Sequence, residues 1–431
     1  MWRFLAQRSG RLEAISLILL GVVLVVRFPV RFALTQPYLM DLEVFRVVAA
    51  RVLEGQAANL YAPTTSELAL FKYAPSWALL WAPLGWLSHH AGAVWWTGFS
   101  VIQLLAALLA CGWLCRRCGI RHHPLTAVCT VLLLTRPLTA VLLNGQVNIL
   151  WGLLALGFVA ADLAGRRWWA ALSLALAISL KLPALLFVPY LLLRHRWASA
   201  GRVAIAFAGI NLAAAWWLLP AHPLGLFASW GQVLVTSGPD RAFEIGSQSL
   251  LALMGRLLRA DGYGFNVLAL SDGAVAAATA VVALALFAAA CLSPARGPSH
   301  PVRALLDGAL LTVFMVLFSP TCWVATYSAL LFPVFVALAL LSSQPRALWR
   351  RPAVAAGALT LLLFSVLTHA KVWRFLGVRA IKGETYVFEV LMILPLLGLS
   401  LAWCLWVQRR LLTAAATATR QAGPSVSGRS R

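Results

Sequence analysis

The chain reads as an all-α, polytopic membrane protein: a bundle of about twelve transmembrane helices, with amphipathic helices in its first outer loop. Three observations lead there. Of its 431 residues, 61% are hydrophobic, and the mean hydropathy of +0.85 lies outside the range of soluble chains of this size. Apolar runs of about twenty residues recur, the length that crosses a bilayer as a helix. The short alternating strands that a barrel needs are absent, and a spanning backbone must satisfy its own polar groups.

Charge orders these runs. Thirty-five Lys and Arg stand against 13 Asp and Glu, a formal net charge of +22. In a chain this apolar, basic residues in short loops mark the cytoplasmic side, so the excess points to topology and anionic membrane lipid rather than to nucleic acid. The clusters are Arg3/Arg8/Arg11, Arg116/Arg117/Arg121, Arg166/Arg167, Arg194/Arg196/Arg202, Arg296/Arg303, Arg346/Arg350/Arg351 and Arg409/Arg410 with the tail. Facing them all inward gathers 21 of the 35 basic residues on one side. Spans are then expected at 14–34, 92–114, 124–143, 147–164, 168–181, 182–194, 203–219, 272–292, 304–319, 323–341, 353–370 and 385–407. They form one domain of residues 1–410 with both termini inside.

The first run, MWRFLAQRSGRLEAISLILLGVVLVV, has a basic start and no small-x-small cleavage pattern behind it, so it reads as an uncleaved helix. Residues 168–194 are long enough for a single helix, but that would turn every later basic cluster outward. Proline in Lys181-Leu182-Pro183 instead predicts two short helices of about 20 Å each. The stretch 73–88 has two prolines and three tryptophans and is expected to lie in the outer interface. Two large outer loops follow, 35–91 and 220–271, with a smaller one at 371–384. Residues 411–431 have the composition of a disordered cytoplasmic tail.

Seven scattered cysteines give no expected disulfide. Cys115-x-x-Cys118 with His122 and His123 resembles half a zinc site, yet Arg116 and Arg117 stand between the thiols and no second pair exists. No metal and no cofactor are expected.

The chemistry is sought in the outer loops. In PYLMDLEVF, residues 37–45, two of the few acids follow the first apolar run. Phe45, Val48, Ala49, Val52 and Leu53 recur at helical spacing and Gly55 is a natural stop, so an amphipathic helix resting on the membrane is expected. Glu43 can pair with Arg46 and Glu54 with Arg51, which leaves Asp41 without a local partner. Such a carboxylate suits a general base, and it equally suits a helix N-cap. Asn144-Gly145-Gln146-x-Asn148 joins two spans, Lys181 sits between short helices, and Gln248-Ser249 lies near Arg256. A Lys at that depth suits a lipid phosphate, and it also suits snorkelling; the amides also suit bonding between helices.

In order, these pieces are D-x-x-x-F from Asp41, G-x-x-x-x-L-Y-x-P from Gly55 through Tyr61, and F-x-Y-x-P from Phe71 through Tyr73. N-G-Q-x-N at 144–148, K-x-P from Lys181, Q-S-L from Gln248 and S-P-x-x-W ending at Trp323 follow. From about residue 14 to 345 this order resembles glycosyltransferase family 87, polyprenol-phosphate-mannose-dependent mannosyltransferases of the GT-C membrane fold. The resemblance implies transfer of a sugar, mannose by preference, from a polyprenyl-phosphate donor to a lipid or glycan acceptor. It implies inversion at the periplasmic face of a bacterial inner membrane. Asp41 would be catalytic, and Lys181 and Arg256 would meet the donor phosphate. Tyr61, Tyr73, Asn144, Gln146, Asn148, Gln248 and Trp323 would line the substrate site. One departure stands out: many relatives carry His just after S-P-x-x-W, where Val324-Ala325-Thr326-Tyr327 stands here. A transporter or lipid flippase, or a non-catalytic assembly subunit of the same fold, is the alternative. The polar clusters near helix ends favour the enzyme, since transporters bind near the midplane.

Overall fold

A computed structural model describes residues 2–35, 38–64, 70–237, 239–260, 266–291, 301–343, 352–375 and 391–421. Among them the regular structure is helical, with no strand. The chain opens with α1 (Trp2–Val25), a π-helical turn (Val26–Val30) and α2 (Arg31–Thr35). Pro29 lies inside that turn and has no N–H for the ladder, which is where the helix loosens. The first loop carries α3 (Met40–Leu53), α4 (Pro75–Trp81) and a 3₁₀ turn (Ala82–Trp86). Next come α5 (His89–Arg117), α6 (Thr126–Leu133), α7 (Thr135–Asn144), α8 (Asn148–Leu163), α9 (Arg167–Leu180), α10 (Phe187–Leu193) and α11 (Trp197–Leu218). The second loop holds α12 (Pro223–Thr236), α13 (Pro239–Ala242) and α14 (Leu250–Leu258). Then follow α15 (Asp272–Cys291), α16 (Pro301–Leu317), α17 (Leu331–Ser343), α18 (Pro352–Leu367), α19 (Ala370–Phe375) and α20 (Ile393–Gln421).

The element boundaries fall close to the expected ones, and the count of twelve spans is not confirmed. By length and composition, five of the described helices can cross a membrane, or six if α6 and α7, bent by 68°, form one broken span. Residues 148–163, 167–180 and 182–193 form shorter apolar helices. Two short helices do meet at Lys181: α9 ends at Leu180, Lys181 is extended (φ −151°, ψ 122°), and Pro183 opens a 3₁₀ turn, Leu182–Leu186, that leads into α10. Helix α20 runs on to Gln421, into the segment expected to be a tail. Arg296, Arg346, Arg350 and Arg351, the loop beyond Phe375, the expected start of the last span and the tail beyond Gln421 lie outside the described residues.

The core is a continuous apolar cluster in which α16 and α17 are most completely covered. Its two ends differ. At one end charged side chains knit helices together. Glu13 takes Arg116 (2.9 Å) and His122 (3.2 Å), and Arg196 pairs with Asp162. Asp307, only 4% exposed, meets Arg409 (2.6 Å), Arg194 (3.4 Å), Arg303 (3.8 Å) and the Tyr190 hydroxyl (2.8 Å). These are the clusters expected to face inward. The opposite end carries α3, α4 and the turns that begin α8 and end α9.

The first loop is packed more deeply than expected. Helix α3 lies against α4 and the Ala82–Trp86 turn, burying Leu42, Val44, Phe45, Val48 and Ala49, so its apolar stripe meets protein, while Leu53 is left exposed. Trp77 and Trp81 join that core through a ring ladder with Phe45 and Trp96, and of the three tryptophans only Trp86 is exposed. Large rings fill the gap between short helices better than they serve a flat interface. Glu43 pairs with Arg46 at 3.0 Å as expected, and His89 shares the same carboxylate oxygen. Arg51 instead donates to the carbonyls of Asn59, Ala62 and Pro63, and Glu54 accepts from Gln56. Carbonyls left over by a tight loop take the guanidinium away from Glu54.

Candidate active site

Helix α3 is capped by Leu39, with no side chain accepting at its start. Asp41 is therefore the second helical residue, and its carboxylate does not serve as an N-cap. Where it goes depends on Gly145. This residue ends α7 in the left-handed region (φ +74°), which glycine alone enters cheaply. A Cβ on it would stand 2.8 Å from Leu42 Cβ and 3.2 Å from Leu39 Cβ. Glycine thus lets the first turn of α3 rest directly on the α7–α8 connection and sets Asp41 over Gln146.

From there the polar side chains form one line. Gln146 Nε2 donates to Asp41 Oδ2 at 2.7 Å, and Asn148 Nδ2 donates to Gln146 Oε1 at 2.7 Å. Lys181 Nζ then donates to Asn148 Oδ1 at 2.6 Å, its ammonium 5.6 Å from the centre of the Trp151 ring. A carboxylate and an ammonium are thereby held apart at fixed spacing by two amides. Burial pushes the Asp41 carboxyl above its ordinary value, against the pull of the Gln146 hydrogen bond and of Lys181, Arg241 and Lys72. Such a carboxylate can take up a proton, and the ammonium can face an anion.

Four of the expected site residues, Asp41, Gln146, Asn148 and Lys181, thus meet in one chain. Gln248 is tied to the segment around Trp323 by a different set of bonds. The Gln248 N–H donates to the Cys322 carbonyl, and the Tyr327 hydroxyl donates to the Gln248 carbonyl at 2.8 Å. The half-buried Trp323 ring lies against Gly246, where a side chain would collide with it. In the turn where the resemblance led to His, Thr326 accepts from the Trp323 N–H and Val324–Leu330 are all buried. Tyr61 donates to the Tyr73 carbonyl at 3.0 Å, and both rings pack on Phe71. Asn144 is the last residue of α7, and Arg256 is buried on α14. Neither belongs to the Asp41–Lys181 chain.

Lys72 and Arg241 escaped the sequence reading, yet their charges act on Asp41 together with that of Lys181. Arg241, in the single turn of α13, left no pattern. Lys72 did: the chain has 35 basic residues but only four lysines, Lys72, Lys181, Lys371 and Lys382. Among the described residues no group of three His, Cys, Asp or Glu is arranged to hold a metal, and His122, beside Cys118, is taken up by Glu13 and by the Phe335 ring.

A helical membrane bundle with a carboxylate and an ammonium fixed at one end of its helices is the setting of a membrane glycosyltransferase. The chain belongs to glycosyltransferase family 87, whose profile matches residues 71–320. It is similar to the polyprenol-phosphate-mannose-dependent alpha-(1-2)-phosphatidylinositol mannoside mannosyltransferase of Mycolicibacterium smegmatis, at 28% identity with 84% of each chain covered.

Proposed function

We propose that the protein transfers a sugar, mannose by preference, from a polyprenyl-phosphate donor to a hydroxyl of a lipid or glycan acceptor, with inversion, at the periplasmic face of a bacterial inner membrane. The observation that carries this reading is the fixed pairing of Asp41 and Lys181 across Gln146 and Asn148. Asp41 takes the proton of the acceptor hydroxyl as its oxygen attacks the anomeric carbon. The bond from that carbon to the phosphate oxygen breaks with its electron pair on the phosphate, and Lys181 stabilises the charge that appears there. One carboxylate suffices for a single displacement, whereas retention by a covalent intermediate calls for a carboxylate pair about 5 Å apart.

The relative's printed dependence on polyprenol-phosphate-mannose supports the donor, and its phosphatidylinositol mannoside substrate supports a glycolipid acceptor. An apolar cleft of about 400 Å³ between α4, α9 and α11, lined by Leu79, Leu176, Ile210 and Trp217, has the character a prenyl chain needs. The charged pairs at the far end of the bundle support a periplasmic site. Gln146 and Asn148 link the reacting groups, and Trp323 and Arg256 remain candidates for the substrate and its phosphate.

The test is sugar transfer from polyprenyl-phosphate mannose into native membrane lipids by purified protein, wild type against Asp41→Asn. Transfer by wild type and a loss of about a thousandfold or more in the variant is expected for removal of the base. Full activity in a correctly folded Asp41→Asn would overturn its role.

A further inference from the structure

The backbone at Lys72 is held in place by several bonds. Phe71 before it is fully buried, and Tyr73 after it is pinned by the Tyr61 hydroxyl on its carbonyl. The Lys72 carbonyl itself accepts from Trp230 Nε1 at 3.0 Å. Two residues further on, the Ala74 N–H donates to the Ser179 carbonyl at 2.9 Å. That bond ties the 72–74 segment to the end of α9, with Lys72 two residues before it and Lys181 two residues after it. The charges of both ammonium groups act on Asp41. Among the described residues, the Lys72 ammonium reaches the Ser237 carbonyl at 3.4 Å, a long contact that leaves donors over.

Two like charges near one carboxylate repel, and half-burial adds to the cost of their charges. The chain otherwise relies on arginine, yet two of its four lysines meet here. A compact ammonium suits a phosphate whose charge changes during reaction. In the proposed donor the phosphate is a diester with one negative charge. When the bond to the anomeric carbon breaks, its electron pair stays on the phosphate oxygen and the acceptor proton goes to Asp41. The phosphate is then a monoester of nearly two negative charges at neutral pH.

We propose that Lys72 and Lys181 together form a cradle for the departing lipid phosphate, in which Lys72 supplies the second positive charge that a monoester needs and a diester does not. The inference rests on the donor reading above and extends it. Its consequence is that the protein binds the spent carrier, a prenyl phosphate monoester, more tightly than the loaded one. An interaction that strengthens as charge develops also acts on the rate rather than on donor binding.

The experiment uses the full-length protein in detergent, with farnesyl phosphate and its methyl diester as probes, and calorimetry as the readout. Wild type is expected to bind the monoester about tenfold more tightly than the diester, the size of one charged hydrogen bond. Lys72→Met, which keeps the apolar stem, should abolish that preference while leaving diester binding within about threefold, and Lys72→Arg should retain most of it. Equal binding of the two probes by wild type overturns the cradle without recourse to any variant. So does a preference that survives Lys72→Met. If the preference depends on Lys72 but wild type transfers no sugar from any prenyl-phosphate donor, the cradle stands and the transferase reading falls.

Discussion

Gly145→Ala is the sharpest test of how the site is held, because it touches none of the proposed reacting groups. Two costs follow from the geometry. Alanine at φ +74° loses about 1–2 kcal/mol to its own backbone. Its Cβ would also stand 2.8 Å from Leu42 Cβ and 3.1 Å from the Leu42 nitrogen, atoms that cannot swing aside as the end of a long side chain can. Overpacking of that kind costs about 1–3 kcal/mol unless something shifts. The element free to shift is the first turn of α3, and any retreat lengthens the 2.7 Å bond from Gln146 to Asp41. Loss of one charged hydrogen bond is worth about 1.5–3 kcal/mol, so turnover should fall about ten- to a hundredfold. Gly165→Ala is the control: its φ of +73° is nearly the same, but nothing lies within 4 Å of the added carbon. It should pay the backbone cost alone and keep full turnover. Thermal unfolding in one detergent and transfer at saturating donor would be measured for both. If the two variants lose equal stability and both keep their turnover, Gly145 does not seat Asp41.

Further expectations concern charge. Burial raises the Asp41 pKa in the fold, so the folded state holds that proton more tightly than the unfolded chain does, and ionising the group costs stability. That cost is absent below the unfolded value and complete above the raised one. Asp41→Asn should therefore melt at a higher temperature than wild type near neutral pH, and the gap should close as the pH falls through the raised value. Over the same interval the wild-type transfer rate should decline, with a midpoint above the ordinary aspartate value. A rate flat across that interval would exclude Asp41 as the base. Asp307→Asn leaves Arg194, Arg303 and Arg409 around a neutral amide and should cost about 3–5 kcal/mol, read as a lower unfolding midpoint. Transfer should persist in excess EDTA, and its abolition would bring a metal into the mechanism.

What the sequence shows of this molecule follows from how local each signal is. Helix ends were legible because proline, glycine and runs of arginine act within a turn or two: Pro183 broke the 168–194 run, and Gly55 and Gly145 stopped their helices. The chain Asp41–Gln146–Asn148–Lys181 was legible as a set of polar residues out of place in apolar surroundings, though not as a chain. Its order depends on α3 folding back over the α7–α8 connection. The seat of α3 was missed for a related reason. An amphipathic stripe looks the same whether it meets lipid or protein, and only the partner surface, Trp77, Trp81 and the Ala82–Trp86 turn, tells the two apart. The Arg51–Glu54 pair failed because helix spacing proposes partners while nearby loop carbonyls compete for them. Lys72 was overlooked because a single cation is no motif; only its rarity as a lysine marked it.

The line of side chains from Lys181 to Asp41 has a direction. Each link points the same way, with ammonium, Asn148 and Gln146 donating in turn toward the carboxylate. Carboxamides pass polarisation along such a line, but their N–H bonds do not release protons at any ordinary pH. The line thus couples the two charges while insulating them. Lys181 cannot hand its proton to Asp41 and erase the charge separation, however strongly the two attract. A proton gained by Asp41 must leave by another route, toward water or the next acceptor. Two amides in the middle of the row keep its ends opposite in sign from one turnover to the next.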